Sequence, residues 1–246
     1  MTELEQHNQE IGENRKFWDR KPTLRRAYAD FYKAIAAQTV SGLTVELGSG
    51  IGITKQYLPS CLTTDIFPNP WLDRVESAYN LSFDDNTISN LILFDVWHHL
   101  EFPADALLEF YRVIAPGGRV ILLDPAMSLL GRLVYGRCHH EPLGLDVVFP
   151  SKPVGKNHIP ARYFAAQSSA HRIFEAKQQP ELLIGWNLLQ VKPIVSFVYL
   201  GSGGFRGPQL YPEEASLIVR LIDRALSCLP SIFAARILVT LEKNQH

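Results

Sequence analysis

Val45-Glu46-Leu47-Gly48-Ser49-Gly50-Ile51-Gly52 sets an acidic residue and three alternate glycines directly behind an apolar strand, Leu43 to Leu47. The following Ile53-Thr54-Lys55-Gln56-Tyr57-Leu58 is expected to open a helix, which puts the glycines in a strand-to-helix turn. Glycine in such a turn tolerates positive φ and lets the backbone approach a ligand closely. A dinucleotide fingerprint G-x-G-x-x-G begun at Gly48 would need its third glycine where Ile53 stands, so pyrophosphate binding is disfavoured. Glu46 beside the loop is awkward for a phosphate and suits the cationic end of a nucleoside ligand. Asp65 ends the apolar run Cys61-Leu62-Thr63-Thr64, nineteen residues after Glu46. A β-α-β unit places such a carboxylate at the next strand end, where it can accept both ribose hydroxyls. The competing reading of the glycines is a tight turn with no ligand; Glu46 and Asp65 weigh against it.

Three further segments follow in order. Leu81-Ser82-Phe83-Asp84-Asp85-Asn86 is similar to an L-P-F-x-D turn, Trp97-His98-His99-Leu100 to L-H-H-L, and Leu107 to Asp124 to L-x-E-x-x-R-V-L-x-P-G-G-x-x-x-x-x-D. With the glycine loop, they make the region from Leu43 to Pro125 resemble a class I S-adenosylmethionine-dependent methyltransferase of the broad family that includes the quinone-biosynthesis methyltransferases. The resemblance implies a seven-stranded, mostly parallel, doubly wound Rossmann-like α/β sheet whose last strand is antiparallel. It implies S-adenosylmethionine as cofactor, on Glu46, Gly48, Ser49, Gly50, Gly52, Asp65, Ile66, Ser77, Ala78, Phe94 and Asp95, with the Asp95 backbone favoured over its carboxylate. Two positions depart from the family pattern: Ser77 stands where an acid is usual near the adenine amino group, and Ser82 replaces proline.

With 246 residues, 46% hydrophobic and 20% charged, the chain can bury a sizeable core in one domain spanning 1–246. Within it we expect an N-terminal helix over 15–37, a cofactor-binding core over 43–124 and substrate-side insertions over 125–160 and 201–230. A net charge of −1 gives no case for nucleic acid, and Phe94-Asp95-Val96-Trp97 stands where a nucleic-acid methyltransferase would carry N/D-P-P-Y/F. Scattered Cys61, Cys138 and Cys228, a polar N-terminus and no long apolar run point to a reducing cytoplasm, without signal peptide or membrane span.

Residues 1–14 read as loosely ordered and Arg15 to Ala37 as one amphipathic helix with Phe17, Leu24, Tyr28, Phe31 and Ile35 on a face. Strands are expected at Leu43–Leu47, Leu62–Asp65, Arg74–Ser77, Ile88–Phe94, Arg119–Leu123, Leu188–Val191, Val195–Leu200 and Ile237–Leu241, with a helix at Ala104–Val113. Alternation of this kind implies a parallel sheet. A further helix opens at Pro212-Glu213-Glu214. Its stripe of Leu217, Ile218, Leu221, Ile222, Ala225 and Leu226 is expected to pack on the core, with peripheral membrane contact as the alternative.

A sulfonium methyl is already electrophilic, so transfer mainly requires a positioned nucleophile; a hydroxyl also needs a base. His98 follows the fourth strand, and His139 and His140 of Cys138-His139-His140-Glu141 are the other candidate bases. Tyr135, Glu141 and Asn157, the last in an N-x-x-I-P turn with His158, Ile159 and Pro160, are candidate acceptor-pocket residues. Adjacent ligands in the Cys138 segment are poor geometry for one ion, so no metal is expected. The acceptor is read as a small molecule, a glycan or a lipid-linked intermediate, methylated on a hydroxyl. The alternatives are C- or N-methylation, or a catalytically silent cofactor-binding module.

Overall fold

A computed structural model describes residues 3–155 and 164–245. Seven strands form one sheet in the order β3-β2-β1-β4-β5-β7-β6. They are β1 (Thr44–Leu47), β2 (Leu62–Asp65), β3 (Arg74–Val75), β4 (Ile88–Phe94), β5 (Ile114–Pro125), β6 (Trp186–Val195) and β7 (Ala234–Lys243). Pairing is parallel from β3 through β5, and β7 runs antiparallel to both β5 and β6. The doubly wound sheet with an antiparallel last strand is therefore as the resemblance implied.

Burial on both faces explains why the central strands are continuous apolar runs. Leu91 and Leu93 of β4, Val120 and Leu122 of β5, and Val239 and Leu241 of β7 face one core with α3 (Pro103–Val113). Their neighbours Ile92, Phe94, Ile121, Leu123 and Leu238 face the other core, with α2 (Pro22–Ala36). This is the period-two alternation of a pleated strand.

Local chemistry overrides several expectations. Residues 3–14 are not loose: α1 runs from Glu3 to Arg20, and the single helix over 15–37 is broken at Lys21. Pro22 lacks an N–H to continue α1 and instead occupies the first turn of α2. Trp18, rather than Phe17, fills the core. After the glycines only a 3₁₀ turn forms, Ile53–Gln56, because Pro59 follows too soon for a helix. The third strand stops at Val75, and the fifth extends in both directions beyond Arg119–Leu123. Val195–Leu200 is not a strand: the Ser196 hydroxyl accepts from the Tyr199 N–H and caps α5 (Phe197–Ser202), which Gly203 ends at φ 71°.

The stripe on α6 (Ser216–Leu226) does not pack as expected. Leu217, Ile218, Leu221 and Ile222 keep 69, 62, 59 and 44% of their surface exposed. The helix instead meets α5 and is tied down by polar contacts, Asp223 accepting from the Phe197 N–H at 2.5 Å and Arg220 pairing with Asp30 at 2.8 Å. Among the described residues no helix is long and apolar enough to cross a membrane.

Candidate functional site

β1, β4 and β5 end at one edge of the sheet, and the loops leaving them converge there. Behind β1, Gly48, Gly50 and Gly52 all adopt positive φ. A Cβ on Gly48 would fall 2.3 Å from Cγ2 of Val96, whereas one on Gly50 would meet only Cδ1 of Ile11 at 3.6 Å. Gly48 is thus needed for packing, while Gly50 faces a space roofed by α1. Asp65, at the end of β2, accepts from the N–H of Gly50 at 3.0 Å and of Ile66 at 2.8 Å, which ties the second strand end to the loop. Burial raises the Asp65 carboxyl, with His7 of α1 acting in the opposite sense. His7 rests against the Phe67 ring, 5.1 Å between centroids.

Glu46 is buried and accepts from the Tyr32 hydroxyl at 2.9 Å and from the Thr54 hydroxyl. Burial raises its carboxyl, and the bond from Thr54 opposes this most. Ser49 donates to the Glu46 carbonyl and accepts from the Thr64 N–H. Ile66 is exposed, and Ser77 pairs across a short bridge with Asn80, with Ala78 between them against the core. Glu76, one position before Ser77, turns back to the Ser82 N–H at 2.8 Å and to its hydroxyl. An acid is therefore present close to where the family pattern has one, directed at the serine that replaces proline.

At the end of β4, Phe94 stacks on Tyr28 of α2, 4.8 Å between centroids. Asp95 takes φ 57°, an uncommon conformation outside glycine and one found at functional sites. Both carboxylate oxygens face Arg236 of β7, whose second nitrogen is 2.9 Å from Oδ2. Arg236 is 2% exposed and lies 4.3 Å from the centre of the Tyr199 ring and 6.0 Å from that of Tyr135. Arg236 carried no sequence expectation, although one arginine inside the apolar run Ala234 to Leu241 is a readable signal of a buried charge pair.

The next turn, Trp97–His99, is pinned by Trp97, fully buried against Phe174. It delivers His98 and His99 to the edge. From the other side comes α4 (Leu129–Cys138), capped by the Ser128 hydroxyl accepting from the Gly131 N–H at 2.9 Å. Tyr135 in α4 is buried and donates to the Ala235 carbonyl at 2.6 Å. The chain then turns through His139, His140 and Glu141, held by the Gln167 amide at 2.9 Å from His139 Nδ1 and 3.1 Å from the Glu141 carbonyl.

Among the described residues, four histidines thereby surround one carboxylate. Glu141 lies 3.3 Å from His98 Nε2, 3.7 Å from His99 Nε2, 3.5 Å from His139 Nδ1 and 3.8 Å from His140 Nε2. Behind them, Asp124 at the end of β5 is 3.2 Å from His98 Nδ1, and the Phe164 carbonyl is 2.9 Å from His99 Nδ1. Burial pulls the His98 imidazole down, but Asp124 and Glu141 outweigh it and carry the group up to about 10. Burial, and then the charge on His98, lower His99; burial likewise lowers His139. Positive charge is thus favoured on His98 and disfavoured on His99 and His139, a layout suited to moving a proton. Asn157 and the turn through Pro160 lie outside the described residues.

A family model for a methyltransferase domain matches residues 45–122. No curated protein sequence matches the chain. Among solved structures, an S-adenosylmethionine-dependent methyltransferase from Thermotoga maritima is 16% identical, with TM-score 0.54 over 96% of this chain and 99% of that one. A complex between the Haloferax volcanii Trm112 methyltransferase activator and a methyltransferase matches at 13% identity, TM-score 0.55, over 96% and 95%. Geranyl diphosphate C-methyltransferase from Streptomyces coelicolor, determined with Mg2+, geranyl diphosphate and S-adenosyl-L-homocysteine, matches at 11%, TM-score 0.53, over 94% and 83%. At these identities the structural likeness is one of fold, and the sequence match lies on the strands and loops that build the edge just described. Residues 45–122 are thus similar to a methyltransferase domain, and the sheet around them has the fold seen in S-adenosylmethionine-dependent methyltransferases.

Proposed function

We propose that the protein transfers the methyl group of S-adenosylmethionine to a hydroxyl of a small molecule, glycan or lipid-linked acceptor held beside Glu141. The observation that carries this reading is the convergence of His98, His99, His139 and His140 on that carboxylate, at the strand edge where ligands of open α/β sheets bind. An amine is nucleophilic once neutral, but a hydroxyl must lose its proton as it attacks, and this cluster is an array of acceptors for it. The acceptor oxygen forms a bond to the methyl carbon, and the carbon–sulfur bond breaks with its pair returning to sulfur. S-adenosylhomocysteine leaves, and the hydroxyl proton passes to the cluster and out through the exposed His140. Holding the nucleophile in line with the methyl is itself worth up to about 7–11 kcal/mol. Free and dispersed Cys61, Cys138 and Cys228 fit a reducing cytoplasm.

The test is product analysis with methyl-labelled cofactor and a panel of hydroxyl, amine and activated-carbon acceptors. An O-methyl ether is the expected product; label on nitrogen or carbon alone would replace this reading.

The donor side of the same proposal places the cofactor ribose on Asp65, its methionine end by Glu46 and the Asp95 backbone, and its nucleoside over Gly48, Ser49, Gly50, Gly52, Ile66, Ser77, Ala78 and Phe94. Asp65→Ala is expected to weaken cofactor binding by about 1.5–3 kcal/mol, the range for hydrogen bonds to a charged group. Calorimetry with S-adenosylhomocysteine reads it, and unchanged affinity moves the ribose elsewhere. Gly50→Val should abolish binding while costing the fold about 1–3 kcal/mol for a side chain forced to positive φ. A folded Gly50→Val chain that still binds the cofactor would leave the glycine a turn former only.

A further inference from the structure

We propose that His98, His99 and Glu141 are the ligands of a divalent transition-metal centre of the Zn2+ type, with an open position for the acceptor. It deepens the reading of the cluster as the acceptor site, though the ligand geometry stands without that reading. The ligating atoms all lie within 4.8 Å of one another. His98 Nε2 and His99 Nε2 lie 3.3 and 3.7 Å from the Glu141 carboxylate, one on each of its oxygens. Elsewhere in this chain an imidazole that bonds a carboxylate directly, His171 to Glu175, does so at 2.7 Å. An ion about 2.0–2.1 Å from each nitrogen and oxygen ligand separates neighbouring ligands by about 3.4 Å in a tetrahedron. The two histidine-to-carboxylate separations are near such an edge.

The supporting shell is also that of a metal site. Metal-bound histidines present one ring nitrogen to the ion and give the other to a carboxylate or a backbone carbonyl, which fixes the tautomer. His98 Nδ1 meets Asp124, His99 Nδ1 meets the Phe164 carbonyl, and both Nε2 atoms are thereby turned towards Glu141. The three ligand side chains are 4, 34 and 10% exposed, so solvent reaches the set most at His99. Three protein ligands with an open position are the pattern of catalytic Zn2+. His139 stands apart from the ligand set, because its Nδ1 is engaged by Gln167. Asp95, which also neighbours His98 and Asp124, is held by both its oxygens on Arg236. The ligands come from two distant segments of chain, which spacing within Cys138-His139-His140-Glu141 alone could not disclose. Such an ion would lower the pKa of a bound acceptor hydroxyl by Lewis acidity.

The full-length, untagged protein, stripped with a chelator, is titrated with Zn2+ by calorimetry and with Co2+ by visible absorption, without methyl donor or acceptor. The expected result is a single ion per chain, with affinity falling at least about tenfold in His99→Ala and in the isosteric Glu141→Gln, and unchanged in His171→Ala. Absence of stoichiometric binding by the wild type, equal binding by both ligand variants, or a thiolate charge-transfer band that Cys138→Ser removes would overturn it. Because no turnover is read, failure here leaves O-methylation with the cluster as proton acceptor. Failure of O-methylation in the product assay leaves the metal centre standing.

Discussion

Glu141→Gln is expected to lower kcat by about 10²–10⁴-fold, the range for loss of a positioned proton-transfer group, with donor affinity unchanged. The side chain keeps its volume, and its main chain stays held through the Gln167 bond to the carbonyl, so the loop should remain in place. What changes is charge. The carboxylate that faces four histidine nitrogens becomes a neutral amide that neither accepts a proton nor supports a cation. Single-turnover methyl transfer with saturating acceptor isolates the chemical step, and calorimetry with S-adenosylhomocysteine reports the donor side. A Glu141→Gln enzyme with near wild-type kcat would place the acceptor away from this cluster.

Arg236→Met is expected to reduce stability by about 3 kcal/mol, the lower end of the range for removing one partner of a buried ion pair. The lower end applies because the Asp95 side chain retains 29% exposure, which lets water reach its charge. The guanidinium also lies over the Tyr199 ring, a contact that methionine replaces only by its bulk. Urea unfolding checks the magnitude. Adding Asp95→Asn should return part of the loss, since the unpaired carboxylate rather than the missing arginine is the main cost. A double variant as unstable as Arg236→Met would show that the loss is one of packing.

Legibility in the sequence followed the range of the interactions. β2 and β4 are bounded in the structure as their composition indicated, and the glycines sit where the strand-to-helix turn was expected. Those features depend on near neighbours and on burial of both sheet faces. Val195–Leu200 misleads because apolar β-branched and aromatic residues fit either a strand or a buried helix, and the deciding contact is one serine hydroxyl on one N–H. The stripe on α6 misleads in another way: its periodicity is real, but amphipathicity does not say what covers the apolar side.

The candidate site divides similarly. His98, His139, His140 and Glu141 could each be singled out as residue types, yet their meeting depends on the path of α4 and on the Gln167 anchor, which no local pattern encodes. Glu46 was legible as an acid beside the loop. Its buried partners Tyr32 and Thr54 were not, since one of them arrives from α2. Arg236 and Asp124 show the general case. Charges that end or interrupt apolar strands are visible in the sequence, but their partners lie in the turn that follows another strand.

α1 closes over the glycine loop through Ile11 and His7, and Glu10 is latched to Arg206 at 3.1 Å. On the proposed donor site, this helix must lift once for each cofactor taken up and each product released. Helix ends open at low free energy, far below that of global unfolding. Methyl transfer and donor exchange then become separate clocks: the first is set by the acceptor, the second by a diffusive motion of α1 that is indifferent to it. Good acceptors would all reach one shared turnover ceiling, and that ceiling would fall as solvent viscosity rises.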